Sequence, residues 1–291
     1  MLFKGSGVAI VTPFDATGNV DLEGLEQLIA FQLENQTDAI IINGTTGEAS
    51  TLTREEKLAT IRHTVKVVNN RVPVIAGTGS NNTAESAAFS AEVSALGVDG
   101  LLVVTPYYNK SSKRGLYEHF KVIAEHATVP VILYTVPGRT GVPIPVETVA
   151  ALAEIDNIVG IKDATGDLAY TAHVRRSTPP EFAIYSGNDD MIVPVLSAGG
   201  VGVISVAANV VPKAVHEMVT AYLDGDAARA TQLQLDYLPL IEALFIETNP
   251  IPVKAALAIM RLPAGGLRLP LYEAEDATKQ ALETVWKELS Q

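Results

Sequence analysis

Lys162 stands near the end of Ile158-Val159-Gly160-Ile161-Lys162-Asp163-Ala164-Thr165. Up to the lysine the stretch is almost wholly apolar, and Asn157 and Gly166 bound it, which suits a parallel strand covered on both faces. Burial disfavours the charged form of an amine. A neutral amine is a nucleophile that can form a Schiff base with a ketone. Taken on this strand alone, the simpler reading is a rim lysine paired with Asp163. Other reactive groups follow similar apolar runs. Gly44-Thr45-Thr46-Gly47-Glu48 offers hydroxyls and glycine-flanked amides able to hold a carboxylate. Thr105-Pro106-Tyr107-Tyr108-Asn109 carries phenols that could stack, cap a neighbour or relay protons. Tyr134 is a phenol suited to general acid–base work. Arg139, in Val136-Pro137-Gly138-Arg139-Thr140-Gly141, places a guanidinium where no core requires it, and a guanidinium binds carboxylates in bidentate fashion. Each has a plain alternative: turn chemistry for the threonines, an amphipathic core place for Tyr134, a solvated loop charge for Arg139.

These groups need elements that bring them to one place. Eight Val- and Ile-rich runs are expected as strands: Gly7–Phe14, Ala39–Thr46, Val72–Gly79, Gly100–Tyr108, Val129–Pro137, Ile158–Thr165, Phe182–Asp189 and Val201–Asn209. Helical patterns separate them. Asp21–Asn35 has leucines at helical spacing, Thr53 with Glu56 forms a capping box, and Asn82–Leu96 stops at Gly97. Gly115–Ala127, Pro145–Glu154, Leu168–Arg176, Asp190–Ala198 and Pro212–Leu223 complete the alternation. Such alternation implies a parallel sheet with right-handed crossovers, and eight units fit an α/β fold of the closed (β/α)₈ TIM-barrel type. In that fold the active site lies at the C-terminal ends of the strands, where all the groups above fall, with Ser186-Gly187-Asn188-Asp189 and Ile204-Ser205 beside them. The expected organisation is a catalytic barrel over 1–224 and a helical domain over 225–291, with helices at Asp226–Phe245, Pro252–Met260 and Glu273–Leu289.

Composition narrows the function. The 291 residues carry a net charge of −12, which argues against nucleic acid or an acidic membrane surface as partner. With no cysteine there is no disulfide, thiol nucleophile or cysteine-bound metal. Met1-Leu2-Phe3-Lys4-Gly5 lacks a signal-peptide pattern, and no apolar run reaches the ~18 residues of a membrane span, so a cytoplasmic protein is expected. His63, His119, His126, His173 and His216 lack metal spacing, and no metal is expected. Gly77-Thr78-Gly79-Ser80-Asn81-Asn82 lacks the third glycine of a dinucleotide fingerprint and follows the third strand. Gly199-Gly200 precedes the eighth strand, on the face opposite a barrel phosphate site.

The segments Gly44–Glu48, Thr105–Asn109, Tyr134 with Val136–Gly141, Gly160–Thr165 and Asn249-Pro250-Ile251-Pro252-Val253-Lys254, in that order, resemble the dihydrodipicolinate synthase family (4-hydroxy-tetrahydrodipicolinate synthases). The likeness runs in register from about Gly5 to Pro270. It implies a class I pyruvate aldolase of lysine and diaminopimelate biosynthesis, a homotetramer or in some members a dimer, with no metal or organic cofactor. By this resemblance Lys162 is the Schiff-base lysine. Tyr134, Thr46 and Tyr108 form a proton relay, with Tyr108 crossing from a neighbouring subunit. Thr45 helps hold the pyruvate carboxylate, Arg139 takes the carboxylate of aspartate semialdehyde, and Gly187 and Ile204 give backbone contacts near the imine. Thr135, Gly138 and Asn188 depart from an asparagine, a serine and an aspartate common in the family, which puts loop geometry in question. Sialic acid (N-acetylneuraminate) lyases and 2-keto-3-deoxy sugar-acid aldolases share the lysine and tyrosine but usually lack the arginine, so Arg139 decides against them. A catalytically silent barrel is the other alternative, and the intact reactive groups oppose it. Regulated members bind lysine at positions that align with Ala49, Ser50, Arg54, Lys57, Asn81, Glu85 and Tyr107. Arg54 and Lys57 stand where sensitive bacterial members carry histidines. Asn81 and Tyr107 keep the contacts to the ligand's carboxylate and Glu85 could meet its ammonium, but two cations there would repel that ammonium, so weak or no inhibition by lysine is expected, unless both side chains face solvent.

Overall fold

Strands made wholly of apolar residues need cover on both faces, and closing them into a ring inside a layer of helices provides it. The computed structural model describes residues 1–289. β1 (Gly5–Ala9), β2 (Ala39–Ile42), β3 (Val74–Gly77), β4 (Gly100–Val104), β5 (Val131–Thr135), β6 (Ile158–Asp163), β7 (Ala183–Ser186) and β8 (Gly202–Ser205) form one closed barrel in sequence order. Every neighbouring pair is parallel, β1 with β8 included. Outside the ring lie α1 (Leu22–Glu34), α2 (Arg54–Val68), α3 (Thr83–Ser94) and α4 (Lys113–His126). They are followed by the single turn α5 (Pro137–Thr140), then α6 (Val146–Leu152), α7 (Leu168–Ser177), α8 (Ile192–Ser197) and α9 (Pro212–Leu223). The (β/α)₈ barrel expected from the alternation is the observed fold.

Side chains alternate across each strand with a period of two. In β2, Ala39 and Ile41 face the barrel interior with Ile75, Leu102 and Ile132, while Ile40 and Ile42 face the helices with Leu28 and Ile61. Phe3 and Tyr185 stack at 4.4 Å, and the tyrosine hydroxyl donates to the Phe3 carbonyl at 2.8 Å, filling the interior below the site. The ring contains one irregularity. Val131 pairs with Ile158 but Ile132 pairs with Gly160, so β6 carries one more residue than its partner at Val159. Where β1 stops, Asn209 continues its hydrogen bonding: Nδ2 donates to the Ala9 carbonyl at 2.9 Å and Oδ1 accepts from the Val11 amide at 3.1 Å.

The strands end earlier than the sequence suggests. Expected ends at Phe14, Thr46, Tyr108, Thr165 and Asn209 become Ala9, Ile42, Val104, Asp163 and Ser205. Beyond these points the backbone pairs with itself in turns, as where the amides of Gly47 and Glu48 donate to Gly44 and Thr45 at 3.1 Å. Helix starts are better marked. The capping box at Thr53 and Glu56 is present, and Asp21, Asn82, Ser112 and Asp167 cap α1, α3, α4 and α7. Of the histidines, His119 is buried on α4, bonds Thr83 through Nδ1 at 2.9 Å, and is pushed down to about 4 by loss of hydration. No helix among the described residues is long and apolar enough to cross a membrane.

Three helices follow the barrel: α10 (Ala227–Ala243), α11 (Ile251–Ile259) and α12 (Asp276–Leu289), the last starting three residues later than expected. Gln234 of α10 accepts from the Val193 amide at 3.3 Å and donates to the Asp189 carbonyl at 2.9 Å. A charged cluster binds α11 and the chain after it to the loop following β2. Lys254 lies 2.5 Å from Glu48, a buried ion pair rather than an aligned hydrogen bond, and donates to the Gly266 carbonyl at 2.7 Å. The other Glu48 oxygen accepts from the Arg268 amide at 3.1 Å. Arg268 forks onto Glu56 at 2.8 and 2.5 Å, and the centroid of the Phe14 ring lies 4.3 Å from Lys254 Nζ and 4.4 Å from Arg268 Cζ. Burial pushes the Lys254 ammonium down, and the Glu48 charge holds it up.

A buried pair is most sensitive to losing one partner. Lys254→Met should lower the unfolding free energy by roughly 3–5 kcal/mol, because it strands Glu48 away from water. Lys254→Met with Glu48→Gln should recover much of that loss. Urea denaturation checks this, and an unchanged midpoint in the single variant would refute it.

Candidate active site

β5, β6 and β7 place Tyr134, Lys162 and Tyr185 at the same level of the ring, and Tyr134 and Tyr185 belong to its apolar interior. Lys162 is 5% exposed and Tyr134 6%. The lysine nitrogen lies 4.5 Å from the centroid of the tyrosine ring. The simpler pairing with Asp163 is not what the structure contains. Consecutive residues of a strand point to opposite faces, and Asp163 bonds elsewhere. Its Oδ1 accepts from the Thr165 amide and hydroxyl at 2.9 and 2.6 Å, and its Oδ2 from the Thr171 hydroxyl at 2.6 Å.

Beside Lys162 the rim is built from close backbone approaches. The Gly187 amide donates to the Asp163 carbonyl at 2.6 Å, and a Cβ on Gly187 would lie 2.6 Å from that of Ala164. No other residue type lets these loops meet. Ile204 faces inward from β8. Asp189, to which the sequence reading assigned no role, is buried next to this wall. Its Oδ2 accepts from the amides of Val206 and Ala207, both at 2.9 Å. Burial pushes its carboxyl up, while the Ser205 hydroxyl, these amides and the nearby Lys162 charge hold it down.

The loop after β2 holds the threonines. It is strained at both ends, with Asn43 at φ +56° and Glu48 at φ +54°. Asn43 is held to α2 through the Lys57 carbonyl at 3.0 Å and the Thr60 hydroxyl at 3.1 Å. Thr46 is buried, and its Oγ1 accepts from Asn249 Nδ2 at 2.9 Å. Arg139, on the turn α5, is anchored rather than loose: Nη2 donates to the Asn249 carbonyl at 2.9 Å. Thr45, Tyr134 and Arg139 line a cavity of about 530 Å³. Lys162, Thr46, Gly187 and Ile204 are not part of its wall, and Tyr134, which is, carries Lys162 against its ring.

Tyr108 stands apart. It is 91% exposed with φ +70°, and Asn81 shapes its loop by donating to the Tyr107 carbonyl at 3.1 Å and accepting from Asn109 at 3.0 Å. Among the described residues no hydrogen bond joins the hydroxyls of Tyr108, Thr46 and Tyr134 within this chain. The departures in the loops are absorbed locally. Thr135 accepts from the Ile144 amide at 3.1 Å, Asn188 accepts from the Ser186 hydroxyl at 2.8 Å, and a Cβ at Gly138 would meet nothing within 4 Å.

The same cavity is lined by Ala49, Ser50 and Lys57 together with Asn81, Glu85 and Tyr107. Arg54 is not in this wall. It pairs with Glu92, and its guanidinium sits 5.1 Å over the Phe89 ring. The expected pair of cations is therefore one. Burial pushes the Lys57 ammonium down, the Glu85 charge holds it up, and Arg54 opposes it.

Comparison with known proteins follows from this geometry. The profile of the dihydrodipicolinate synthetase family matches residues 2–289. A 4-hydroxy-tetrahydrodipicolinate synthase of Thermoanaerobacter sp. (strain X514) is 52% identical over 285 residues, which are 98% of this chain and 96% of that protein. The chloride-inhibited dihydrodipicolinate synthase of Acinetobacter baumannii, solved in complex with pyruvate, superposes with a TM-score of 0.96 at 44% identity, covering 99% of each chain. The enzyme of Cyanidioschyzon merolae, solved with lysine bound, superposes with a TM-score of 0.97 at 42% identity, again over 99% of each chain.

Proposed function

This chain belongs to the dihydrodipicolinate synthetase family, and from that premise we infer how its residues carry the family's reaction. The protein condenses pyruvate with L-aspartate 4-semialdehyde to give 4-hydroxy-tetrahydrodipicolinate, a lyase step of lysine and diaminopimelate biosynthesis. The observation that supports its mechanism is the buried amine of Lys162 against Tyr134 in an otherwise apolar interior.

In our reading the deprotonated Lys162 nitrogen adds to the ketone of pyruvate, and loss of water leaves a protonated imine. A ring face attracts a nearby cation, so Tyr134 suits the imine at the same atom that it suits as an ammonium. Its hydroxyl moves the protons of this dehydration through Thr46 to Tyr108. Thr45 and the loop amides hold the pyruvate carboxylate, and the backbone at Gly187 and Ile204 borders the imine. Loss of a methyl proton gives an enamine whose carbon attacks the aldehyde of the second substrate. Arg139 uses one N–H on Asn249 and keeps the rest of its fork for that substrate's carboxylate. The substrate amine then displaces Lys162 and closes the ring. An electron sink made by the lysine leaves no step for a metal or organic cofactor.

The relay needs Tyr108 close to Thr46, and its exposure supports a partner subunit as its destination. An aromatic residue in the left-handed region costs of order 1–3 kcal/mol and persists only where surroundings hold it. We assign the protein as a cytoplasmic homo-oligomer, a tetramer built as a dimer of dimers. Ala49, Ser50, Lys57, Asn81, Glu85 and Tyr107 align with the lysine site of regulated relatives, and we assign them as a weak site here. Lys57 would face the ligand's ammonium, which Glu85 in the same wall could still meet. At ~4 Å and an effective dielectric near 20 such a pair costs about 4 kcal/mol. Lys57 is part-exposed, and if screening leaves only about a quarter of that, binding still weakens several-fold.

Lys162→Ala should abolish pyruvate adducts trapped by borohydride while the fold persists. An adduct located by mass spectrometry on Lys110, Lys254 or another lysine would overturn the assignment. Arg139→Ala should leave trapping largely intact and weaken use of aspartate semialdehyde by roughly 1.5–3 kcal/mol, the worth of a charge-assisted hydrogen bond. Equal loss in both assays would give Arg139 a supporting role instead. Free lysine should inhibit weakly or not at all, and Lys57→Ala should strengthen its effect. Inhibition of the unaltered protein at micromolar lysine would refute this.

A further inference from the structure

Asn249 opens Asn249-Pro250-Ile251-Pro252-Val253-Lys254, a segment that supplies none of the groups placed on the reaction path above. It lies 203 residues from Thr46 in the chain, yet its Nδ2 donates to the Thr46 hydroxyl at 2.9 Å. The residue is 5% exposed, and its Oδ1 has no partner among the described residues. The side chain is thus spent on a single donation. A hydroxyl has one proton to give and two lone pairs to receive with. A relay member must receive one proton and give one. With Asn249 on one lone pair, Thr46 keeps one lone pair and its own O–H, and an amide donor cannot capture that O–H. Donation into the oxygen also strengthens the proton it offers onward.

We propose that Asn249 is a positioning residue that sets the direction of proton transfer through Thr46. The proposal rests on the reading of Thr46 as a relay between Tyr134 and Tyr108. It gives the segment around Asn249 a part in turnover without contact with substrate.

The test compares the full-length Asn249→Asp, Asn249→Ala and Thr46→Val variants and both double variants with the unaltered protein. An ionised aspartate keeps the shape but only accepts, so it draws the Thr46 proton toward itself. Turnover of Asn249→Asp at neutral pH should fall roughly tenfold or more, a part of what positioned proton transfer contributes, with little change in KM for pyruvate. The deficit should shrink toward acid pH, where the protonated carboxyl donates again. Adding Thr46→Val to either Asn249 variant should cost nothing beyond Thr46→Val alone, because the Asn249 side chain acts only through that hydroxyl. The alanine cycle reads the same coupling should the aspartate variant not fold. Full turnover of Asn249→Asp at neutral pH would overturn the proposal, since the amide oxygen would then face Thr46. Losses that add across the two sites would also overturn it and leave the relay standing. Full turnover of Thr46→Val would remove the relay itself, and this proposal with it.

Discussion

One extra residue in β6 fixes the relation on which the site depends. Were the ladder regular from Val131↔Ile158 onward, Tyr134 would lie opposite Ile161 and Lys162 opposite Thr135. The insertion at Val159 moves the later part of β6 by one place, so Lys162 lies beside Tyr134. A shift of one residue exchanges the two faces of a strand. A slipped β6 would present Asp163 to the interior and bury Lys162 among the helices. The closed ring opposes such a slip, because β6 is bonded on both edges and β1 meets β8. Bulges are frequent beside active sites for this reason.

The barrel supplies the inward groups, while the chain after it fixes the rim. Asn249 reaches Thr46 and Arg139, Gln234 reaches the Asp189 carbonyl, and Lys254 with Arg268 encloses Glu48 two residues from Thr46. Taking charges out of water costs several kcal/mol per ion, so such a cluster is weak evidence of added stability. What it gives is a fixed place. The β2 loop contains two left-handed residues, of which the cluster holds Glu48 and α2 holds Asn43.

Much of this was legible in the chain itself. Alternating apolar runs and helix patterns give the strand number and order, and the caps at Thr53 and Asn82 mark where helices begin. That Lys162 and Tyr134 fall on one rim follows from apolar strands ending in polar groups. Strand ends were misplaced because apolar and β-branched residues continue into the rim loops, where turns rather than neighbouring strands satisfy the backbone. The insertion at Val159 leaves no mark, since Ile158, Val159 and Ile161 read as one run. Nor could contacts at long range be read: Thr46 with Asn249, Glu48 with Lys254 and Arg54 with Glu92 depend on tertiary geometry. In the last case Glu92, one helix away, turns aside a charge that the sequence places at the cavity.

The dependence of Thr46 on Asn249 has a consequence for the growing chain. Chains fold from the N-terminus as they emerge, and here all eight strands are made by Ser205. A nascent chain halted after α9 has every strand of the ring, yet Thr46 has no donor and Glu48 no counter-ion. The partners that hold Thr46 and Glu48 are all present only when translation has passed Arg268, so the loop after β2, among the first parts of the rim to be made, waits for the last quarter of the message to be fixed.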